Sequence, residues 1–112
     1  MFDFKEKVVL ITGASYGLGE QFAYDFAKAG ADLILTARSV EQLEVVGERC
    51  REMGSRVAVV PGDVSIEADV KKVISAGIDS LGRIDVLINN AGIADARGVA
   101  AEQFDAETFN RI

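Results

Sequence analysis

Apolar residues follow two alternating rhythms along this chain: short unbroken runs, and stripes spaced three to four residues apart. Val8-Val9-Leu10-Ile11 is an unbroken run, the pattern of a strand buried on both faces. After a glycine-punctuated turn, Leu18, Phe22 and Phe26 recur four apart with Ala23 and Ala27 beside them. That predicts a first helix facing inward along this stripe and closed by Gly30. Leu33-Ile34-Leu35 predicts a second strand, ending at Thr36-Ala37-Arg38. Ser39 with Gln42 three residues on reads as a capping box. The second helix it opens has Leu43, Val46, Cys50 and Met53 as its inner stripe and Gly54 as its stop. A third strand, Val57-Ala58-Val59-Val60, halts at Pro61-Gly62, and Asp63-Val64-Ser65 lead into a third helix. Its expected inner face is Val70, Val73, Ile74, Gly77, Ile78 and Leu81, with Glu67 and Asp69 suited to its positive end. Asp85 introduces a fourth strand, Val86-Leu87-Ile88, which runs into Asn89-Asn90-Ala91-Gly92. A loop from Ile93 to about Gln103 and a helix start near Asp105 complete the pattern.

Strict alternation of strand and helix predicts an α/β fold with a parallel sheet and helices on both faces. Right-handed crossovers place the strands in the order 3-2-1-4, a doubly wound sheet of the Rossmann type. No repeat, linker or low-complexity tract interrupts it, so one domain is expected over residues 1–112.

The chemistry gathers at the ends of the strands. Thr12-Gly13-Ala14-Ser15-Tyr16-Gly17-Leu18-Gly19 links the first strand to the first helix with the spacing Gly-x-x-x-Gly-x-Gly. A helix start offers unpaired N–H groups and partial positive charge to an anion. Gly13 is assigned to the tight turn, Gly17 to close approach of the backbone, and Gly19 to packing of the helix on the strand. Such a loop also occurs as a plain turn; its neighbours distinguish the two. Ligands of open parallel sheets bind beyond the carboxyl ends of the strands where the order reverses, here between the first and fourth. Gly13, Arg38, Asp63 and Asn90 each follow a strand on that edge.

Arg38 bears on the choice of dinucleotide. An NAD site usually carries an acidic residue there to accept from the ribose hydroxyls, and neither Ala37 nor Arg38 can accept. A guanidinium suits the 2′-phosphate of NADP, with the Ser39 hydroxyl as a further contact, so NADP is expected ahead of NAD. The plainer alternative is a solvated arginine beside a serine that only caps a helix. Asp63 can accept from the exocyclic amine of adenine, or can be a turn carboxylate near a helix start. Asn89 and Asn90 can tie neighbouring strands together through backbone hydrogen bonds.

Composition narrows the partners. The 112 residues carry a net charge of -6 and no histidine. That balance argues against nucleic acid and against an anionic membrane surface, and removes the most common general base and zinc ligand; no metal site is expected. Cys50 stands alone, which excludes an internal disulfide and fits a reducing, cytoplasmic setting. No signal peptide or membrane span is expected from Met1-Phe2-Asp3-Phe4-Lys5-Glu6-Lys7 or from the apolar runs.

Three segments together, Thr12 to Gly19, Asp63-Val64 and Asn89-Asn90-Ala91-Gly92, give the chain a clear likeness. It resembles the amino-terminal, cofactor-binding part of a short-chain dehydrogenase/reductase over essentially its full length. The resemblance implies that Gly13, Ser15, Tyr16, Gly17, Leu18 and Gly19 hold the cofactor pyrophosphate. It further implies that Asp63 and Val64 hold the adenine, and that Asn90, Ala91 and Gly92 line the cleft. Arginine at position 38 is typical of NADP-preferring members, which often carry a second basic residue where Tyr16 stands here. The family's catalytic tyrosine and lysine, spaced Tyr-x-x-x-Lys, and its serine and asparagine are expected beyond Ile112. Tyr24 and Lys28 have that spacing but lie on the first helix, and Asn110 resembles the segment before the family's asparagine; both are read as coincidences.

The leading expectation is an NADP-dependent oxidoreductase that moves hydride between the cofactor and a carbonyl or alcohol, represented by its cofactor-binding portion. A small-molecule substrate and a homo-oligomer of the complete protein follow from the resemblance. The alternative is a non-catalytic nucleotide-binding or interaction module. It faces an open fourth strand and apolar Phe104 and Phe109 without obvious neighbours, and so an unstable free chain. A methyltransferase of similar architecture would want an acid where Arg38 stands.

Overall fold

The computed structural model describes residues 3–90. Within them the chain runs β1 (Val8–Thr12), α1 (Gly17–Lys28), β2 (Asp32–Thr36), α2 (Val40–Glu52), β3 (Val57–Val59), α3 (Glu67–Leu81) and β4 (Val86–Asn89). The strands are parallel and ordered β3-β2-β1-β4, the arrangement the alternating pattern predicts. The expected residues Ala91 and Gly92, the loop and helix start after them, and Phe104, Phe109 and Asn110 lie outside the described residues.

Because successive side chains on a strand point to opposite faces, β1 and β2 each feed two cores. Val9, Ile11, Leu33 and Leu35 face α1 and α2, where they meet Ala23, Ala27, Leu43, Val46 and Cys50. Val8, Leu10 and Ile34 point the other way, towards α3 and Val73. The central strand is buried at every position, as its unbroken apolar run requires.

The helices depart from the predicted stripes in instructive ways. On α1 the buried residues are Gly19, Ala23 and Ala27, with Phe22 and Phe26 half-buried beside them, while Leu18 is 57% exposed. The true stripe is thus turned one residue along, because three small side chains bring the helix closest to the sheet. Met53 is the C-terminal cap of α2 and exposed, not part of its inner stripe. On α3 only Val73 and Gly77 are fully buried; Ile74 and Ile78 are exposed at 39% and 43% among the described residues. A Cβ on Gly77 would collide with the side chain of Ile34, so the helix sits directly on the strand there. Gly30 follows the cap residue Ala29 of α1, and its N–H and that of Ala31 return to the carbonyls of Ala27 and Phe26. Ser39 is the N-cap of α2, but its side chain makes no capping hydrogen bond, so the expected capping box does not form.

Candidate nucleotide-binding crevice

The carboxyl ends of β1, β2 and β3 open into one crevice of about 210 Å³, lined by Gly13, Ser15, Tyr16, Arg38, Asp63 and Val64 among others. Gly13 turns the chain after β1 with a positive φ of 61°, a conformation that favours glycine. Glycine at position 19 is required by space. A Cβ there would strike the Gly13 carbonyl, and would stand 2.8 Å from the Asn90 amide nitrogen. At Gly17 a Cβ would meet nothing within 4 Å of the protein, which leaves its backbone open on that side, and its φ of 61° is the local reason for glycine.

The start of α1 has unspent donors. Its N-cap, Tyr16, supplies no side-chain cap, and Glu20 N–H to the Tyr16 carbonyl (3.3 Å) opens the helical ladder. The amides of Gly17, Leu18 and Gly19 therefore precede the first intrahelical bond. Tyr16 is 70% exposed and Leu18 projects outward, so neither side chain closes over these amides.

Across the crevice Arg38 stands just past β2, exposed. Arg49, Arg51, Arg56 and Arg83 each pair with a carboxylate. Arg38 alone among the described arginines makes no hydrogen bond or ion pair. Ser39 beside it also lines the crevice, its hydroxyl unspent on the helix. Together with the open amides of α1, this set can hold an anionic ligand at two separated points.

Asp63 lies at the third strand end. Its Oδ1 accepts from the Ser65 N–H (2.9 Å) and hydroxyl (2.6 Å). These two bonds, aided by the positive charge of Arg38, hold its carboxyl below the usual carboxylate range. The Val64 N–H next to it has no partner among the described residues. An acceptor and a donor thus stand side by side on one turn. Asn90 is buried and donates from Nδ2 to the Gly13 carbonyl at 3.0 Å, tying the end of β4 to the turn after β1. Thr12 Oγ1 reaches Asn89 Oδ1 at 3.2 Å and makes the same junction from the strand side.

Sequence reasoning missed three residues here. Thr36 and Gly62 line the crevice, and the Thr36 hydroxyl is the buried side-chain polar atom without a partner among the described residues. Asp69, expected only to complement the α3 dipole, accepts from the Asp63 N–H at 2.9 Å. Its acidic character at the third position of a helix was the available signal. The decoy Tyr24 hydroxyl is engaged between α1 and α2, donating to Glu20 (2.8 Å) and accepting from Arg49 (3.1 Å). Burial leads in pushing its pKa up, opposite to what a catalytic tyrosine needs. Among the described residues no cluster of metal-ligating side chains occurs, and no helix is long and apolar enough to cross a membrane.

Known proteins are similar to this chain in sequence and fold. A family described as short chain dehydrogenase matches residues 7–112. The "11-beta-hydroxysteroid dehydrogenase-like 4A" of Arabidopsis thaliana is 53% identical over 92 residues, which are 81% of this chain and 31% of that protein. The chain therefore spans less than a third of that relative's length. Two solved structures are similar over most of the chain. L-sorbose reductase from Gluconobacter frateurii, complexed with NADPH and L-sorbose, is 37% identical with a TM-score of 0.73, covering 76% of this chain and 33% of the other. A short chain dehydrogenase/reductase from Burkholderia phymatum, in complex with NAD, is 34% identical with a TM-score of 0.73, covering 78% and 31%. A parallel sheet in the order 3-2-1-4, a glycine turn against a buried asparagine, and a match running from residue 7 to residue 112 lead to one conclusion: the chain belongs to the short-chain dehydrogenase/reductase family of oxidoreductases.

Proposed function

We propose that this chain is the cofactor-binding portion of an NADP-dependent oxidoreductase that moves hydride between the cofactor and a carbonyl or alcohol of a small molecule. The unpaired guanidinium of Arg38, facing the same crevice as the open amides of α1, carries the choice of cofactor. The amides of Gly17, Leu18 and Gly19 take the pyrophosphate, with Gly13, Ser15 and Tyr16 shaping the turn around it. Arg38 and Ser39 take the 2′-phosphate, and the Asp63 carboxylate and Val64 N–H take the adenine edge. Asn90 holds the turn in place through Gly13, and the family resemblance assigns Ala91 and Gly92, which lie outside the described residues, to the same cofactor. When bound, the cofactor supplies hydride chemistry at its nicotinamide ring. The groups that act on the substrate oxygen belong to the rest of the protein in this reading.

The family's solved members occur with NADPH and with NAD, so the family alone leaves the cofactor open. The name of the Arabidopsis relative supports a secondary alcohol or its ketone as the reacting group. A cytoplasmic setting, supported by the single cysteine, and a homo-oligomer of the complete protein, supported by the family resemblance alone, complete the proposal.

Titration of the full chain with NADPH and NADH tests the cofactor assignment. A charge-assisted pair with a phosphate contributes about 1.5–3 kcal/mol. Arg38→Asp should therefore weaken NADPH roughly 10- to 150-fold, with little loss for NADH. Tighter binding of NADH by the unmutated chain contradicts the assignment.

A further inference from the structure

The turn that presents Asp63 is closed almost completely on itself. Ile66 N–H donates to the Asp63 carbonyl at 2.9 Å, and Ser65 spends both its N–H and its hydroxyl on Asp63 Oδ1. The Asp63 N–H donates to Asp69 Oδ2 at 2.9 Å, which leaves Val64 as the residue of the turn with an unspent N–H. Asp69 is the third residue of α3, whose N-cap, Ile66, has no side chain able to cap. An acid at that position ordinarily reaches back to the N-cap N–H. Here that N–H is already taken by Asp63, and the carboxylate reaches three residues further, to the Asp63 amide. The backbone helps hold it, since the Asp69 N–H donates to the Ile66 carbonyl at 3.0 Å.

We infer that Asp69 is a positioning residue for base recognition: it fixes the backbone of Asp63 so that the Asp63 carboxylate and the Val64 N–H face the ligand as an acceptor–donor pair. This rests on the nucleotide reading of the crevice. Adenine offers an amino donor beside a ring-nitrogen acceptor, the complement of that pair. Hypoxanthine offers a carbonyl acceptor beside an N–H donor, the reverse. Loss of the Asp69 carboxylate frees the Asp63 amide and lets the turn rotate. Adenine then loses its matched partners, whereas phosphate binding at α1 and Arg38, on other elements, is untouched.

The test titrates the full chain with adenosine 2′,5′-bisphosphate and with inosine 2′,5′-bisphosphate. The unmutated chain should prefer the adenine form roughly tenfold or more. Asp69→Ala should bring the two affinities together by weakening the adenine form alone, and Asp69→Asn, which keeps an accepting oxygen, should restore most of the preference. Amide hydrogen exchange at Asp63 should speed up in Asp69→Ala and stay slow in Asp69→Asn. Preserved selectivity in Asp69→Ala, or equal weakening of both nucleotides, overturns the role of Asp69 while leaving the crevice assignment standing. An unmutated chain that binds neither nucleotide overturns the crevice assignment and this role together.

Discussion

Single atoms decide how this crevice is built. The contact between Gly19 and the Gly13 carbonyl leaves no room for even a methyl group, and the same spot is bounded by the Asn90 amide. Gly19→Ala must push the start of α1 away from the turn after β1, or break the Asn90 bond. Overpacking of this kind costs about 1–3 kcal/mol. The expected outcome is a chain that melts several degrees lower and binds nucleotide at least tenfold more weakly, measured by thermal unfolding and calorimetric titration. Undiminished binding would show that the backbone can give way there. Gly17→Ala is a useful contrast, since its site is open and the strain lies in the backbone alone. Arg38 was legible in the sequence as a residue type at a strand end, but its lack of a partner emerges only when the other described arginines are seen to be paired.

At the scale of elements, what matters is how β4 is locked in register beside β1. Asp85 forms a reciprocal clasp with Val8: its N–H donates to the Val8 carbonyl, and its Oδ2 accepts from the Val8 N–H, both at 2.8 Å. Arg83 clamps the other carboxylate oxygen through Nε (3.0 Å) and Nη2. From that clasp the pairing runs Val9 with Val86 up to Thr12 with Asn89, which delivers Asn90 to the Gly13 carbonyl. The sequence shows Asp85 only as a polar residue before a strand, because a pairing between residues 77 apart has no local signature. The Arg83 hydrogen bond, with the Val8 N–H, holds the Asp85 carboxyl below the usual range against the opposing effect of burial. A carboxyl whose pKa is depressed by folding contributes stability above its unfolded pKa, about 3.9, and loses it as pH falls through its folded value. The stability gap between the unmutated chain and Asp85→Ala should thus be full at neutral pH and should shrink on acidification below about pH 4. Urea unfolding at a series of pH values checks this. A gap of about 1 kcal/mol at neutrality is expected from the lost hydrogen bonding. A gap that grew on acidification would contradict the sign.

For the whole molecule, the order of strands and the carboxyl edge of the sheet were legible in the sequence, whereas the crevice on that edge is lined from β1, β2 and β3 and not from the gap between β1 and β4 to which the reversal of order points. Unbroken apolar runs mark strands buried on both faces and helical stripes mark the crossovers between them, and strand-helix alternation leaves few ways to wind a parallel sheet. Helix rotation was less legible. Leu18, Met53, Ile74 and Ile78 all fit an apolar stripe, yet sit at its margin or at a helix end, since small residues decide which face comes closest. On the α3 side, Leu10, Val70, Val73, Ile74 and Leu87 line a second, more apolar hollow of about 350 Å³ among the described residues. Nothing in the periodicity of α3 separates a face that meets the sheet from one that borders such a hollow.

The claim on which the rest depends is that the glycine turn and the first amides of α1 hold a pyrophosphate, with Arg38 holding the phosphate at the ribose end. A crystal structure of the full chain soaked in millimolar NADP tests it directly. Pyrophosphate oxygens should lie within about 3 Å of the Gly17, Leu18 or Gly19 amides, and the 2′-phosphate against the Arg38 guanidinium. A well-ordered chain whose turn holds only solvent under those conditions, or a nucleotide bound elsewhere, would contradict it.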